Sequence, residues 1–301
     1  MQCRESSEYQ ERNKMSLCEE FPKLRRRTAL DFFNSFLFDL LLVDIRSKEE
    51  FDQGHIACAC WYGELEKHFG ERWEVLVYDD DGSTWDDLDH APEHIVSLLR
   101  DLHTSPTFVD VKRVSVLSPG GFQAFHKEYP FMCTDAENFD FSVVYPQQIT
   151  DSIFLGSQIS SNTPEVFRDL KLTHVVNAAT ELPCPFKDTT PEGFSFGPIQ
   201  YLHLDLEDAI AANLITPLRR ALPFLKSAVD SGGRILVHCQ MGQSRSAAVV
   251  IAYLVAERQW PVTEAAEYVR ECRGVARPNA GFMRALHSVE DELLDGSLWS
   301  V

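Results

Sequence analysis

Residues 237–254 read VHCQMGQSRSAAVVIAYL. Ile235, Leu236 and Val237 form an apolar run that ends at His238 and Cys239. Five residues lie between Cys239 and Arg245, and a helical run begins at Ser246. A strand, a tight loop containing Gly242 and a helix N-terminus together predict an anion cradle. In such a loop the backbone N–H groups of Gln240, Met241, Gly242, Gln243, Ser244 and Arg245 turn toward one centre, and the helix dipole adds positive potential there. A cysteine at the base sits in a field that favours the thiolate. A thiolate is a good nucleophile and a poor proton acceptor, which suits attack on phosphorus. Arg245 would fork two donors onto two non-bridging oxygens of a phosphoryl group. Ser246 would donate to the sulfur and help it leave a phosphocysteine. A cysteine at a strand end is ordinarily a small buried hydrophobe. The strand before it, the glycine in the loop, the serines on either side of Arg245 and the helix after it weigh against that reading here.

The same chemistry needs a general acid for the leaving oxygen, carried on a separate loop. The segment YLHLDLEDAIAANL (201–214) offers Asp205, Glu207 and Asp208. A strand over 199–204 delivers them to the carboxyl edge of the sheet, where ligands bind in open α/β folds. Composition does not choose among the three.

Working outward, strands are expected over 147–156, 172–179, 199–206 and 233–239, with helices over 164–170, 214–229, 246–257, 262–270 and 281–294. Upstream, apolar strands over 40–45, 75–79 and 111–117 alternate with a helix spaced at Ile95, Leu98, Leu99 and Leu102. This pattern predicts an α/β fold with two parallel-sheet domains, over 18–133 and 144–296. The acidic, aperiodic TDAENFDFSV (134–143) reads as a linker, and residues 1–20 as a disordered tail.

The 301 residues suit two domains. There are 28 Lys and Arg against 46 Asp and Glu, a net charge of −18. The first 143 residues carry 15 of the basic and 28 of the acidic side chains. Such a chain repels nucleic acid and anionic lipid, and neither is expected as a partner. The most apolar stretch, 29–45, is interrupted by Asp31, Asn34, Asp39 and Asp44, so no membrane span is expected. The opening MQCRESSEYQERNK lacks the apolar core of a secretory signal, and Gln2 excludes myristoylation. Eight cysteines without C-x-x-C spacing argue against a zinc site and a disulfide scaffold. Reduced thiols point to a cytoplasmic or nuclear location.

HCQMGQSRS (238–246) resembles the HCxxGxSRS signature of the dual-specificity protein phosphatases, within the cysteine-based tyrosine phosphatase superfamily. The resemblance covers 145–295 and includes SIFLGS (152–157), THVVNAA (173–179) and PNAGFMRAL (278–286). It implies Cys239 as nucleophile, Arg245 and the cradle amides as phosphate ligands, and His238 and Asn279 as supporting residues. In this family the acid is an Asp followed five residues later by Asn. Asp208 and Asn213 fit that pattern; Asp205 and Glu207 do not. The resemblance also implies no metal, no organic cofactor, and a shallow pocket that admits phosphoserine and phosphothreonine as well as phosphotyrosine. Phosphoproteins are then the implied partners. Met241 replaces the small residue commonest at its place, which leaves its backbone N–H in the cradle.

VDIRSKEEFDQGHI (43–56) resembles the D-x-R-x-x-x-E-F-x-x-G-H-I turn of rhodanese-like domains. Residues 114–133 resemble the same domain in the phosphatases that target mitogen-activated protein kinases. Where a working rhodanese carries its cysteine, this chain has Asp79, Asp80 and Asp81. The first domain is therefore expected to be catalytically inactive and to serve docking or regulation by a protein partner. Between Ile56 and Val75 the basic residues are Lys67 and Arg72, not the paired arginines of the kinase phosphatases, which speaks against kinase docking. The run Arg25-Arg26-Arg27 precedes the first expected strand and reads as solvated. The two-domain layout is most similar to the serine/threonine/tyrosine-interacting-like group, whose mammalian members have lost the nucleophile. Cys239, Arg245 and Asp208 are all kept here, so an enzyme is expected, with a phosphoprotein-binding pseudophosphatase as the alternative. The uncharged Gln240, Met241 and Gln243 argue against phosphoinositides or RNA ends as substrates.

Overall fold

The structure is a computed structural model that describes residues 21, 24–35, 40–68, 74–104, 111, 113–133, 142–187 and 198–299. The expected tail over 1–20, most of the expected linker over 134–143, and Arg72 lie outside these residues. The chain divides into two units, residues 1–139 and 140–301.

The first unit runs β1 (Arg25–Arg27), α1 (Ala29–Ser35), β2 (Leu40–Asp44), α2 (Lys48–Gln53), β3 (Cys60–Trp61), β4 (Glu74–Tyr78), α3 (Glu93–Thr104), β5 (Arg113–Leu117) and α4 (Gly121–Glu128). Its sheet has the order β1-β5-β4-β2-β3, every pairing parallel. β2, β4 and β5 are near-continuous apolar runs because helices cover both faces of a parallel sheet; Val43, Val75, Leu76, Val77 and Val116 are fully buried. α2 opens with a capping box in which Ser47 and Glu50 satisfy each other's backbone N–H. Along α3 the expected spacing buries Ile95, Leu98, Leu99 and Leu102. In the arginine run Arg25 and Arg26 are exposed, as the solvated reading has it, and Arg27 is half-buried. The run is the edge strand of this sheet, with Arg25, Arg26 and Arg27 opposite Ser115, Val116 and Leu117. Arg26 Nη1 donates to Asp86 Oδ1 at 2.6 Å, and Arg27 donates to Glu74. Backbone pairing and two carboxylates hold a segment whose composition alone suggests a free surface.

The second unit runs β6 (Gln147–Gln148), β7 (Ile153–Gly156), α5 (Gln158–Asn162), α6 (Pro164–Asp169), β8 (His174–Asn177), β9 (Gln200–His203), α7 (Ile215–Asp230), β10 (Ile235–His238), α8 (Arg245–Arg258), α9 (Val262–Cys272), α10 (Ala280–Ser288) and α11 (Glu290–Leu294). The sheet order is β6-β7-β10-β8-β9, parallel except for β6 against β7. Two expected elements are divided. The strand over 147–156 is a hairpin, because Thr150 Oγ1 accepts from the N–H of Ser152 (3.3 Å) and of Ile153 (3.1 Å) and turns the chain. The helix over 281–294 breaks at Val289, which leaves helical geometry at φ −120° and ψ 18°.

β10 is the middle strand, with His238 level with Gly156 of β7 and Asn177 of β8. α8 is buried from Arg245 to Ala256. It is apolar all round because sheet and helices enclose it, and α7, α9, α10 and α11 pack on it. Leu298, two residues past the expected bound at 296, is buried in the same core. A central strand running straight into a central helix makes the turn between them, 239–244, the most firmly founded loop of the unit.

Candidate active site

That turn is a cradle because its carbonyls are pulled outward. Gln240 O accepts from Gln158 N at 3.1 Å. Met241 O accepts from Arg273 Nη2 at 3.1 Å, and Gly242 O from Arg273 Nε at 2.8 Å. Gln243 O accepts from Arg277 N at 2.8 Å. In a trans peptide the following N–H points opposite to its carbonyl, so the amides of Met241, Gly242, Gln243 and Ser244 turn inward. Gly242 adopts φ +67°, and a Cβ there would lie 2.4 Å from Gly156 O. Only glycine lets the loop press against the end of β7 in this conformation.

Cys239 is buried at the base, and Ser246 Oγ donates to its Sγ at 3.1 Å. Arg245 opens α8 and is 4% exposed. Its Nη1 is held by Glu181 Oε2 at 2.7 Å and Leu206 O at 3.3 Å. Nε is buried, makes no hydrogen bond, and lies 3.9 Å from Asp208 Oδ2. The guanidinium is thus fastened by one corner, which leaves its Nε–Nη2 edge as a planar fork. The Arg245 bond holds the Glu181 carboxyl below the usual carboxylate range. His238 is fully buried behind Cys239, and burial pushes its imidazole down to about 4, so it is neutral near pH 7.

Of the three acids on the 205–208 loop, the structure brings Asp208 to the cradle. Its Oδ1 accepts from Ser244 Oγ at 2.7 Å and from Asn279 Nδ2 at 2.9 Å. Asp205 Oδ1 instead accepts from Thr180 Oγ1 at 2.9 Å. Asn279 is the N-cap of α10, its Oδ1 accepting from Phe282 N at 3.0 Å while its N–H donates to Ser244 Oγ at 3.1 Å. One asparagine therefore ties the acid loop, the cradle and a helix start together. Asn213 is placed elsewhere: its hydrogen bonds go to Thr216, at the start of α7. Sequence reasoning missed Glu181 and Arg273. Nothing local marks either, because both reach the cradle from distant segments. Among the described residues no group of His, Cys, Asp and Glu has the arrangement of a metal site.

Residues 153–292 match the catalytic domain of the dual specificity phosphatases. A probable rhodanese domain-containing dual specificity protein phosphatase of Dictyostelium discoideum is 31% identical over 186 residues, which cover 59% of this chain and 37% of that protein. Dual specificity protein phosphatase 5 of Rattus norvegicus is 28% identical over 249 residues, covering 73% of this chain and 61% of that one. This chain thus spans less than two thirds of the length of either relative. The crystal structure of human tyrosine phosphatase-like serine/threonine/tyrosine-interacting protein is 30% identical, covers 50% of this chain and 98% of its own, and superposes with a TM-score of 0.44. Residues 153–292 thus carry a dual specificity phosphatase catalytic domain.

Proposed function

We propose that the chain is a protein phosphatase that hydrolyses phosphotyrosine and phosphoserine or phosphothreonine through a phosphocysteine. The observation that carries this reading is the set of four outward carbonyls, from Gln240 to Gln243, which aims the cradle amides at one point above Cys239. Cys239 Sγ attacks phosphorus as the thiolate. The bond from phosphorus to the substrate oxygen breaks, and that oxygen takes a proton from Asp208. Oδ2 is the oxygen for this transfer, since Oδ1 is already held by Ser244 and Asn279. The Nε–Nη2 edge of Arg245 and the inward amides bind the three equatorial oxygens, where charge gathers in the transition state. In the second step a water attacks the phosphocysteine, gives its proton to Asp208, and the S–P bond breaks. Ser246 Oγ, 3.1 Å from Sγ, stabilises the departing thiolate.

Cys239→Ser tests the assignment. Turnover of an aryl phosphate is expected to vanish while phosphate binding persists, because the amides remain. Iodoacetate at pH 6 is expected to label Cys239 before any other cysteine. A serine variant with the wild-type rate, or labelling elsewhere, overturns the reading. Wild-type protein that binds phosphopeptides but turns over no aryl phosphate would favour the pseudophosphatase alternative. The first unit, on this proposal, is a non-catalytic module that docks or regulates through a protein partner.

A further inference from the structure

Among the described residues five large hydrophobic side chains are half or more exposed: Val144, Ile159, Ile210, Met241 and Val275. Single exposed hydrophobes are normal on any protein. Their placement here is not scattered. Met241 is in the cradle itself. Ile159 follows Gln158, whose N–H donates to the cradle carbonyl of Gln240, and Val144 O accepts from Ser160 Oγ at 3.0 Å on the same short helix, α5. Val275 lies between Arg273 and Arg277, the two residues that hold the carbonyls of Met241, Gly242 and Gln243. Ile210 lies two residues past Asp208, and its backbone is so close to Gly281 that a Cβ there would be 1.9 Å from Ile210 O. Four of the five thus stand on segments that build the cradle or its acid loop, and Val144 is tied to one of them through Ser160.

We propose that this apolar rim is a specificity surface, and that it selects phosphorylated polypeptide segments whose neighbouring residues are bulky and apolar. The inference rests on the phosphatase reading, since the cradle anchors the phosphoryl group and the rim reads what flanks it. The anchor decides the partner's chemistry at the centre; the rim decides it on either side. Acidic flanks would meet the exposed carboxylates of Asp205 and Glu207 on the acid loop and gain nothing from aliphatic side chains. A phospholipid headgroup would also place apolar matter beside a phosphate. The net charge of −18 and those same carboxylates oppose approach to an anionic bilayer, which favours the peptide.

The test uses the full chain and paired phosphopeptides with one phosphoresidue, flanked by Leu and Phe in one and by Glu in the other. Wild-type protein is expected to prefer the apolar peptide by about tenfold or more in kcat/KM, the scale of one or two filled apolar contacts. Ile159→Ser with Val275→Ser, both surface changes outside the catalytic machinery, is expected to leave the aryl phosphate rate unchanged and to reduce the preference to about twofold. An equal preference in wild type, or a preference unmoved by the double variant, overturns the rim. Faster hydrolysis of phosphatidylinositol phosphate in vesicles than of either peptide, lost in the double variant, assigns the rim to lipid and also overturns the proposal. Absence of aryl phosphate turnover would defeat the phosphatase reading instead. The rim is then judged by the affinity of the Cys239→Ser protein for the two peptides, where equal affinity overturns it.

Discussion

Asp208 and His238 show how one side chain's surroundings set its task. Asp208 is anchored through Oδ1 by Ser244 and Asn279, so its other oxygen is held in place without being consumed by a hydrogen bond. Asp208→Asn is expected to lower the rate on phosphopeptides with poor leaving groups by about 10²–10⁴. The loss is expected to be smaller for p-nitrophenyl phosphate, whose leaving group needs less protonation. An unchanged phosphopeptide rate would transfer the role to Asp205. His238 is buried and neutral, its imidazole pushed down to about 4 from an ordinary value of 6.5. Between those values the unfolded chain binds a proton that the folded chain refuses, so stability falls as pH drops from 6.5 through 4. At about 1.4 kcal/mol per pKa unit, the full effect is on the order of 3 kcal/mol. Thermal melts of wild type and His238→Gln at pH 7 and pH 5 measure it. The wild type is expected to lose more between the two pH values than the variant; equal losses would rule out His238 as the titrating group.

At the scale of elements, the cradle is a loop held from outside. Arg273, following the C-terminus of α9, spans two adjacent carbonyls and also donates to Gln147 of β6. Its guanidinium is pushed below its usual range by burial, against the opposing pull of the Cys239 sulfur. Arg273→Lys keeps the charge but cannot reproduce the planar fork. It is expected to lower kcat by about tenfold or more, since displacing a supporting residue moves the reacting groups out of line. A steady-state comparison with wild type checks this, and a full wild-type kcat would show that the fork does not position the loop. HCQMGQSRS was legible because strand end, glycine, arginine and helix start are consecutive. The parallel sheets were legible for a similar local reason: runs such as Leu41–Val43 and Val75–Val77 are continuous and apolar. Arg273 and Glu181 were not legible, because an arginine after a helix and a glutamate in a turn have the same local sequence whether solvated or holding a site. The short edge strands β1 and β3 were missed on the same grounds, since pairing with β5 and β2 and not their own pattern makes them strands. The resemblance singled out Asp208 from three acids, and its paired Asn213 turned to Thr216 instead.

For the molecule as a whole, two α/β units present two carboxyl-edge loops of opposite character. The 239–245 loop turns its amides inward around a cysteine. The corresponding loop of the first unit, after β4, turns its amides onto its own side chains: Asp79 accepts from Gly82 N at 2.7 Å and Thr84 N at 3.0 Å, and Asp81 from Ser83 N at 2.9 Å. By the rhodanese resemblance, a buried carboxylate stands where an anionic sulfur donor would bind, and Asp80 and Asp81 add charge of the wrong sign. The full chain is expected to form no thiocyanate from thiosulfate and cyanide, and formation above the blank would defeat the inactive reading. The loop is expected to be a structural device. Asp79→Ala leaves the N–H groups of Gly82 and Thr84 unpaired, at a cost of about 1–3 kcal/mol for each that stays shielded from water. Asp79→Asn keeps one acceptor oxygen and is expected to fall between Ala and wild type. Melting of the full chain followed by tryptophan fluorescence reads this, since Trp85 is buried beside the loop. The aryl phosphate rate at 25 °C is expected to be the same in all three proteins. An Ala variant as stable as wild type would mean that the carboxylate does not hold the loop.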